Sequence, residues 1–295
     1  MNGLGTIITA MTTPFDDDGN VDVVEAQRIA RWLVDRGNDG LVVAGSTGEG
    51  MALDSGERAQ LFRAVKDAVG DDAAVIANVG SNDVRVTINA ADEARATGAD
   101  GLLVVVPPYV KPTQSGMLGY FGAVADATPL PIVVYNIQGR TAANMLPETL
   151  LELARRHRNI AGVKESSGDL KQIATVIRDR GEGFKVWAGD DHLFLPSLSV
   201  GADGVVGVAS HLCSREFREM LAAYQAGDVL KAASIHLSLL ELIDALFAVT
   251  NPIGIKWAMN QLGFKAGSCR LPLDQIPNGV ADRLRPLIAP YLAHA

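Results

Sequence analysis

A lysine at the end of an apolar run is the residue of this sequence best suited to covalent chemistry. Residues 160–163 form a short run of the kind that makes a strand buried on both faces, and Lys164 follows directly. A buried ammonium is costly unless it is paired or loses its proton, and a neutral lysine attacks carbonyl carbon to give a Schiff base. Alternatively, Lys164 extends to the surface or pairs with Glu165 or Asp169.

A glycine-rich segment at residues 45–50 offers donors for an anionic ligand. Its glycines surround Ser46 and Thr47 and allow the backbone to approach a ligand with its N–H groups. This arrangement suits a carboxylate, with the two hydroxyls adding donors and a path for a proton. The alternative is a glycine-rich turn between a strand and a helix that binds nothing.

Two tyrosines and an arginine lie near the ends of other apolar runs. Tyr135 needs a partner for its hydroxyl, and we expect it to project beside Lys164. Arg140, on the loop just beyond, is able to hold a carboxylate through two hydrogen bonds. A rigid proline-rich segment presents Tyr109. Alternatively, Tyr135 only fills the core, Arg140 only bridges surface carboxylates, and Tyr109 only packs at an interface.

The pair Asp190 and Asp191 followed by His192 is the one segment that suggests a metal site. Consecutive residues do not readily face one ion, and the five histidines show no spacing typical of ligands. We therefore expect no metal centre, and expect the two aspartates to cap a helix over residues 193–200.

Eight short β-branched runs, each followed by a break and a helical pattern, provide the framework for these residues. The runs are 5–9, 40–44, 74–79, 101–106, 132–136, 160–164, 185–188 and 204–208. Strands that are apolar on both faces and alternate with helices predict a parallel sheet. Their number predicts an α/β fold of the closed (β/α)₈ TIM barrel type. A doubly wound open sheet is the alternative, but the first strand lacks the glycine-rich turn of dinucleotide-binding folds.

Beyond the eighth run the pattern becomes entirely helical. The predicted helices are 215–226, 229–249, 253–262 and 277–293. Only the first completes the barrel. We therefore predict a barrel with the active site at residues 1–226 and a C-terminal helical extension packed on it at residues 227–295.

Composition narrows the classes of partner and the compartment. The 295 residues carry a formal net charge of −8 and are 48% hydrophobic, which predicts a large core and argues against a nucleic-acid partner. Apolar runs such as residues 102–106 are too short to cross a bilayer, so no membrane association is expected. The two cysteines show no disulfide spacing, and the first residues show no secretion signal. We expect a cytoplasmic protein.

Several ordered motifs, running nearly end to end, resemble the dihydrodipicolinate synthase and N-acetylneuraminate lyase family of class I aldolases. The motifs that carry this resemblance are Gly45-Ser46-Thr47-Gly48-Glu49, Tyr135-Asn136-x-x-Gly139-Arg140-Thr141, Gly162-Val163-Lys164-Glu165-Ser166-Ser167-Gly168-Asp169, Ala188-Gly189-Asp190-Asp191 and Asn251-Pro252-Ile253-Gly254-Ile255-Lys256. The resemblance favours the catalytic interpretation of Lys164. It implies a barrel with a C-terminal helical region, usually a homotetramer built as a dimer of dimers, although some members are dimers.

The resemblance also implies roles for individual residues of a pyruvate lyase. Lys164 forms the imine with pyruvate and Tyr135 is the general acid and base. Ser46 and Thr47 bind the pyruvate carboxylate and share a proton relay with Tyr109, which reaches in from a neighbouring subunit. The backbone of Val206 contacts pyruvate. No separate cofactor is implied, because the imine itself is the electron sink.

Arg140 distinguishes the branches of this family. It resembles the arginine that holds the carboxylate of L-aspartate 4-semialdehyde in the synthase branch, which serves lysine and diaminopimelate biosynthesis. Sugar-acid lyases generally lack this arginine. We therefore expect condensation of pyruvate with aspartate semialdehyde. The alternative is cleavage of a 2-keto-3-deoxy sugar acid or N-acetylneuraminate through the same imine.

Overall fold

A computed structural model describes residues 3–292 and confirms the predicted barrel. Eight parallel strands close in sequence order, with β1 paired to both β2 and β8. The strands are β1 (Ile7–Ala10), β2 (Gly40–Val43), β3 (Ala74–Asn78), β4 (Gly101–Val105), β5 (Ile132–Asn136), β6 (Ile160–Glu165), β7 (Lys185–Ala188) and β8 (Gly204–Gly207). Each lies within about two residues of its predicted position.

The strands are apolar on both faces because the barrel has two separate cores. Inward side chains such as Ile8, Ile76 and Leu103 fill the interior of the barrel. Outward side chains such as Ile7 and Val75 pack against the surrounding helices in a larger cluster. Successive residues of a strand point to opposite faces, so both sets must be hydrophobic. The interior is therefore packed, and chemistry is confined to the ends of the strands.

Helices connect successive strands along the outside. They are α1 (Val23–Asp35), α2 (Ser55–Val69), α3 (Val84–Ala96), α4 (Gln114–Ala127), α5 (Gln138–Thr141), α6 (Pro147–Arg156), α7 (Leu170–Asp179), α8 (Phe194–Ser199) and α9 (Ser210–Gln225). Two short 3₁₀ segments, Gly50–Ala52 and Asp191–Leu193, precede α2 and α8. The helix start signals act as expected at α2, where Asp54 and Glu57 form a complete capping box.

Two local predictions differ from the structure. Residues after β5 were expected to form a loop, but Gln138–Thr141 form one helical turn that carries Arg140. The helix that completes the barrel was expected from residue 215, whereas α9 begins at Ser210 and is interrupted at Cys213 by a non-helical backbone. A break of this kind is invisible to hydrophobic periodicity, because it leaves the apolar face of the following helix unchanged.

Three helices follow the barrel: α10 (Val229–Leu246), α11 (Ile253–Gln261) and α12 (Asn278–Leu292). The first of them packs on α9, and the last packs on both α10 and α11. Residue 293, the predicted end of the last helix, lies outside the described residues. Among residues 3–292, none of the helices has the length and apolar character needed to span a membrane.

Candidate active site

Lys164 and Tyr135 lie side by side on neighbouring strands of the barrel. Tyr135 of β5 is in register with Lys164 of β6, and both side chains are buried, at 6% and 4% exposed. The Nζ of Lys164 lies 4.4 Å from the centroid of the Tyr135 ring. Within the described part of the chain, Nζ has no ion pair. An amine held beside a phenol, with no ion pair of its own among those residues, is arranged to react with a carbonyl group.

The structural alternatives for Lys164 are wrong, and strand geometry gives the reason. Glu165 is the next residue of β6 and therefore faces the opposite side. Its buried carboxylate accepts hydrogen bonds from the amides of Asn136 and Gln172, at 3.0 and 3.1 Å. Burial raises the pKa of Glu165, and those hydrogen bonds oppose the rise. Asp169 instead caps α7, accepting from the backbone N–H of Lys171 at 2.8 Å.

Trp187 is the neighbour of Lys164 on the following strand. It is the residue of β7 in register with Lys164, and its indole N–H donates to the carbonyl of Gly5 at 3.0 Å. A Cβ at Gly162, which faces the same side of β6 as Lys164, would lie 2.7 Å from the Trp187 ring. The glycine therefore leaves room for the indole. Val206 of β8 is 1% exposed and belongs to the same interior cluster as Tyr135 and Trp187.

The segment with Ser46 and Thr47 is held tightly against the mouth of the barrel. Gly50 donates to the carbonyl of Gly45 at 2.9 Å, and Thr13 donates through its hydroxyl to the carbonyl of Gly48 at 2.6 Å. Thr47 is 1% exposed, whereas Ser46 is half-buried. The segment therefore presents its hydroxyls from a fixed backbone.

A buried ion pair fastens the end of this segment to the C-terminal helices. Glu49 adopts a left-handed backbone with φ of 53°. Its carboxylate accepts from Lys256 Nζ at 2.6 Å and from the backbone N–H of Arg270 at 2.7 Å. Both charged side chains of the pair are 2% exposed. Because each carboxylate oxygen has a donor, this pair is suited to holding the backbone in its strained shape.

Arg140 and Thr47 both form hydrogen bonds with Asn251, which lies just before α11. The Nη2 of Arg140 donates to the main-chain carbonyl of Asn251 at 3.1 Å. The side-chain amide of Asn251 donates to the Thr47 hydroxyl at 2.9 Å. The guanidinium is otherwise exposed, so it remains available to an anionic ligand.

Asp190 and Asp191 do not cap the following helix, so that prediction was wrong. Asp190 makes no capping hydrogen bond. Asp191 is 1% exposed and accepts from the backbone N–H groups of Val208 and Ala209, both at 3.0 Å. Asp191 thus stabilises the turn after β8. Burial raises the pKa of both carboxyls, while the nearby charge of Lys164 opposes the rise.

His211 joins the ends of β1 and β8 and is fully buried. Its Nε2 accepts from the backbone N–H of Thr12 at 3.1 Å, and its Nδ1 lies 2.8 Å from the carbonyl of Val208. These partners require a neutral ring that is protonated on Nδ1. Burial lowers the pKa of His211 to about 4.

Tyr109 is not gathered with the other predicted site residues. Its side chain is 88% exposed, and its backbone adopts a left-handed conformation with φ of 71°. Among residues 3–292, no three or more His, Cys, Asp or Glu side chains are grouped to hold a metal ion.

Comparison with known proteins places this geometry in one family. The model of the Dihydrodipicolinate synthetase family matches residues 3–289. This chain belongs to that family. A relative from Moorella thermoacetica, named 4-hydroxy-tetrahydrodipicolinate synthase, is 48% identical over 91% of this chain and 92% of its own.

Two solved structures of the family have the same fold. A dihydrodipicolinate synthase from Cyanidioschyzon merolae, described with lysine bound, has a TM-score of 0.96 and 41% identity and covers 99% of both chains. One from Acinetobacter baumannii, described as complexed with pyruvate, has a TM-score of 0.92 and 31% identity over 96% of this chain and 97% of its own.

Sequence reasoning missed several residues that shape this family site. Trp187 has the sequence character of an ordinary core residue, and only the register of β6 and β7 shows that it lies next to Lys164. The side chain of Asn251 was noted only as part of a resemblance, since its partner Thr47 lies 204 residues earlier. Lys256, separated from Glu49 by 207 residues, carried no local signal of pairing.

Proposed function

We propose that this chain is a 4-hydroxy-tetrahydrodipicolinate synthase, a class I lyase that condenses pyruvate with L-aspartate 4-semialdehyde. The observation that carries the proposal is the buried Lys164 amine, placed in register beside Tyr135 and left without a carboxylate partner. A relative at 48% identity that bears this enzyme's name supports the choice of reaction.

Lys164 supplies the covalent step. Its neutral amine adds to the keto carbon of pyruvate, and the carbinolamine loses its hydroxyl as water to give an imine. Loss of a proton from the methyl group then gives an enamine, because the protonated imine accepts the electron pair. The enamine carbon attacks the aldehyde carbon, and the aldehyde oxygen gains a proton. No further cofactor is required, since the imine itself is the electron sink.

Tyr135 is placed to move these protons. Its ring lies against the Lys164 amine, with Nζ 4.4 Å from the ring centroid, so the tyrosine lies next to the place where the imine would form. A general acid and base in such a position contributes a rate factor of about 10² to 10⁴. In this proposal Ser46 and Thr47 bind the pyruvate carboxylate, the backbone of Val206 contacts pyruvate, and Arg140 binds the carboxylate of the aldehyde substrate.

A second copy of the chain completes the proposed relay. Tyr109 is 88% exposed on a left-handed backbone, and the neighbouring Val110 is 53% exposed. A tyrosine presented in this way is suited to enter the site of another subunit. We infer a homo-oligomer, either a tetramer built as a dimer of dimers or a dimer, in the cytoplasm. Light scattering of the purified protein tests the assembly, and a monomer with full activity would contradict this role of Tyr109.

Arg140 provides the test of the aldehyde substrate. We expect turnover with pyruvate and aspartate semialdehyde and none with 2-keto-3-deoxy sugar acids or N-acetylneuraminate. Arg140→Ala removes charge-assisted hydrogen bonds, so the KM for aspartate semialdehyde rises about 10- to 100-fold. The KM for pyruvate stays within about threefold, because Thr47 is unchanged.

Exposed Arg85, whose ion pair is with Asp83, provides the matched control. Arg85→Ala removes a guanidinium of the same kind and leaves both KM values unchanged. Turnover of a sugar acid in place of aspartate semialdehyde would identify the chain as a lyase and overturn the proposal.

A further inference from the structure

One residue of the C-terminal extension links both candidate carboxylate-binding residues. Asn251 lies 204 residues after Thr47 and 111 residues after Arg140 in sequence. Its side chain donates to the Thr47 hydroxyl at 2.9 Å, while its main-chain carbonyl accepts from Arg140 at 3.1 Å. The side chain of Asn251 therefore contacts Thr47, and its main chain contacts Arg140.

The direction of the side-chain hydrogen bond has a chemical consequence. An amide NH₂ group only donates, so the Thr47 oxygen must act as the acceptor. A threonine hydroxyl carries one hydrogen and two lone pairs. With one lone pair occupied by Asn251, the hydrogen of Thr47 stays free to donate elsewhere. A carboxylate, which only accepts, is the complement of that free hydrogen.

The burial of Asn251 argues against a purely stabilising role. The residue is 8% exposed, and its Oδ1 has no hydrogen-bond partner among the described residues. An unpaired buried amide oxygen destabilises a fold. The same segment is already fastened by Lys256 and Glu49, whose charges are paired and whose remaining groups are hydrogen-bonded. The amide of Asn251 thus orients the Thr47 hydroxyl and contributes little to the stability of the fold.

We propose that Asn251 is a positioning residue that aims the Thr47 hydroxyl at the pyruvate carboxylate. The inference rests on the proposed function and deepens it. It separates the two substrates, because a change of the Asn251 side chain leaves the main-chain carbonyl to hold Arg140. Weaker binding of pyruvate, with binding of the aldehyde substrate retained, is its signature.

Two substitutions of the same side chain measure this effect. Asn251→Ala removes the donor, and we expect the pyruvate concentration for half-saturation to rise about tenfold. Asn251→Asp keeps the shape but turns the donor into an acceptor, which captures the Thr47 hydrogen and places a negative charge beside the substrate carboxylate. We expect a rise of about 100-fold for that variant. The KM for aspartate semialdehyde stays within about threefold in both.

Half-saturation is read by borohydride trapping of the pyruvate imine, without any aldehyde present. This readout is independent of which aldehyde the enzyme uses. If the wild-type chain traps no pyruvate, the proposed function fails. If the wild type traps pyruvate and both Asn251 variants trap it at the same concentration, only the positioning role fails.

A double substitution separates positioning from a general structural effect. Thr47→Val removes the hydroxyl through which Asn251 acts. Adding Asn251→Ala to Thr47→Val should then change half-saturation by less than about twofold, because the two residues act as one unit. Independent factors that multiply would overturn the proposal. Circular dichroism and thermal melting verify the fold of each variant. Should Asn251→Ala not fold, the near-isosteric Asn251→Asp replaces it, and the same comparison is made with and without Thr47→Val.

Discussion

Two buried lysines in this chain have opposite surroundings. Lys256, 2% exposed, donates to the Glu49 carboxylate at 2.6 Å and to the carbonyl of Ser268 at 2.9 Å. Lys164, 4% exposed, lies on the face of Tyr135 and forms no ion pair within residues 3–292. Lys256 is therefore paired with a carboxylate, whereas Lys164 forms no ion pair among the described residues.

The difference teaches how a fold assigns separate roles to one functional group. Burial lowers the pKa of Lys256, while the charge of Glu49 and its hydrogen bond with Nζ oppose the change. An ammonium in such a pair has no free electron pair, so it is a fastening for the segment that carries Thr47. Lys164 forms no ion pair among the described residues, and its amine lies on the face of Tyr135, where it is placed to act as a nucleophile.

The largest expected effect is on turnover, when each lysine becomes arginine. Lys164→Arg retains a cation that cannot lose its proton or form an imine, so kcat falls by about 10³-fold or more. Lys256→Arg retains the charge that Glu49 needs, and we expect kcat within about tenfold of wild type. Steady-state assays of the two proteins compare them directly. Equal losses in both variants would remove the distinction.

The second effect is on stability. Here we expect the larger loss at Lys256, whereas the larger loss of turnover is expected at Lys164. Lys256→Met strands the buried Glu49 carboxylate and should lower the free energy of unfolding by about 3–5 kcal/mol. Lys164→Met replaces an unpaired buried amine with an apolar chain, and stability should be unchanged or increased.

Urea unfolding of both methionine variants measures this difference. Adding Glu49→Gln to Lys256→Met should recover part of the loss, because the stranded charge is then removed. A larger loss in Lys164→Met than in Lys256→Met would contradict the assignment of roles.

A third buried base, His211, sharpens the comparison through pH. Its pKa is lowered to about 4 in the folded protein, whereas an unperturbed histidine titrates near 6.5. Between these values the unfolded chain binds the extra proton, so stability is complete above pH 6.5 and falls as the pH drops toward 4. The expected loss between pH 7.5 and pH 5 is about 2 kcal/mol.

His211→Asn supplies the matched measurement, since asparagine keeps a donor near the position of Nδ1 and does not titrate. Urea unfolding at pH 7.5 and pH 5 should show a smaller pH-dependent loss in this variant than in the wild type. An identical loss in both proteins would mean that groups other than His211 control the response.

The barrel itself was predictable from the sequence because each strand is signalled locally. Runs such as residues 101–106 are apolar on both faces and are followed by turn residues and a helical pattern. Eight such units leave few ways to close a sheet. The predictions that failed depend on tertiary contacts. The side chain of Asp191 accepts from the N–H groups of Val208 and Ala209 instead of capping the helix that follows it, and no local motif predicts this pairing.

The candidate site was predictable only in part. The sequence placed Lys164 and Tyr135 at strand ends, and the ordering of strands then put them in register. Whether Lys164 pairs with Glu165 depends on the direction of the two side chains. Because consecutive residues of β6 face opposite sides, the two side chains point away from each other. The contacts of Asn251 and Lys256 cross more than 200 residues, so they become visible only in the fold.

The most direct test of the account asks which lysine binds pyruvate covalently. Borohydride reduction in the presence of pyruvate, followed by mass spectrometry of the digested protein, should find the reduced adduct on the peptide that contains Lys164 and none on the peptide that contains Lys256. An adduct on Lys256, or undiminished labelling of a folded Lys164→Arg protein, would contradict the central role given to the unpaired lysine.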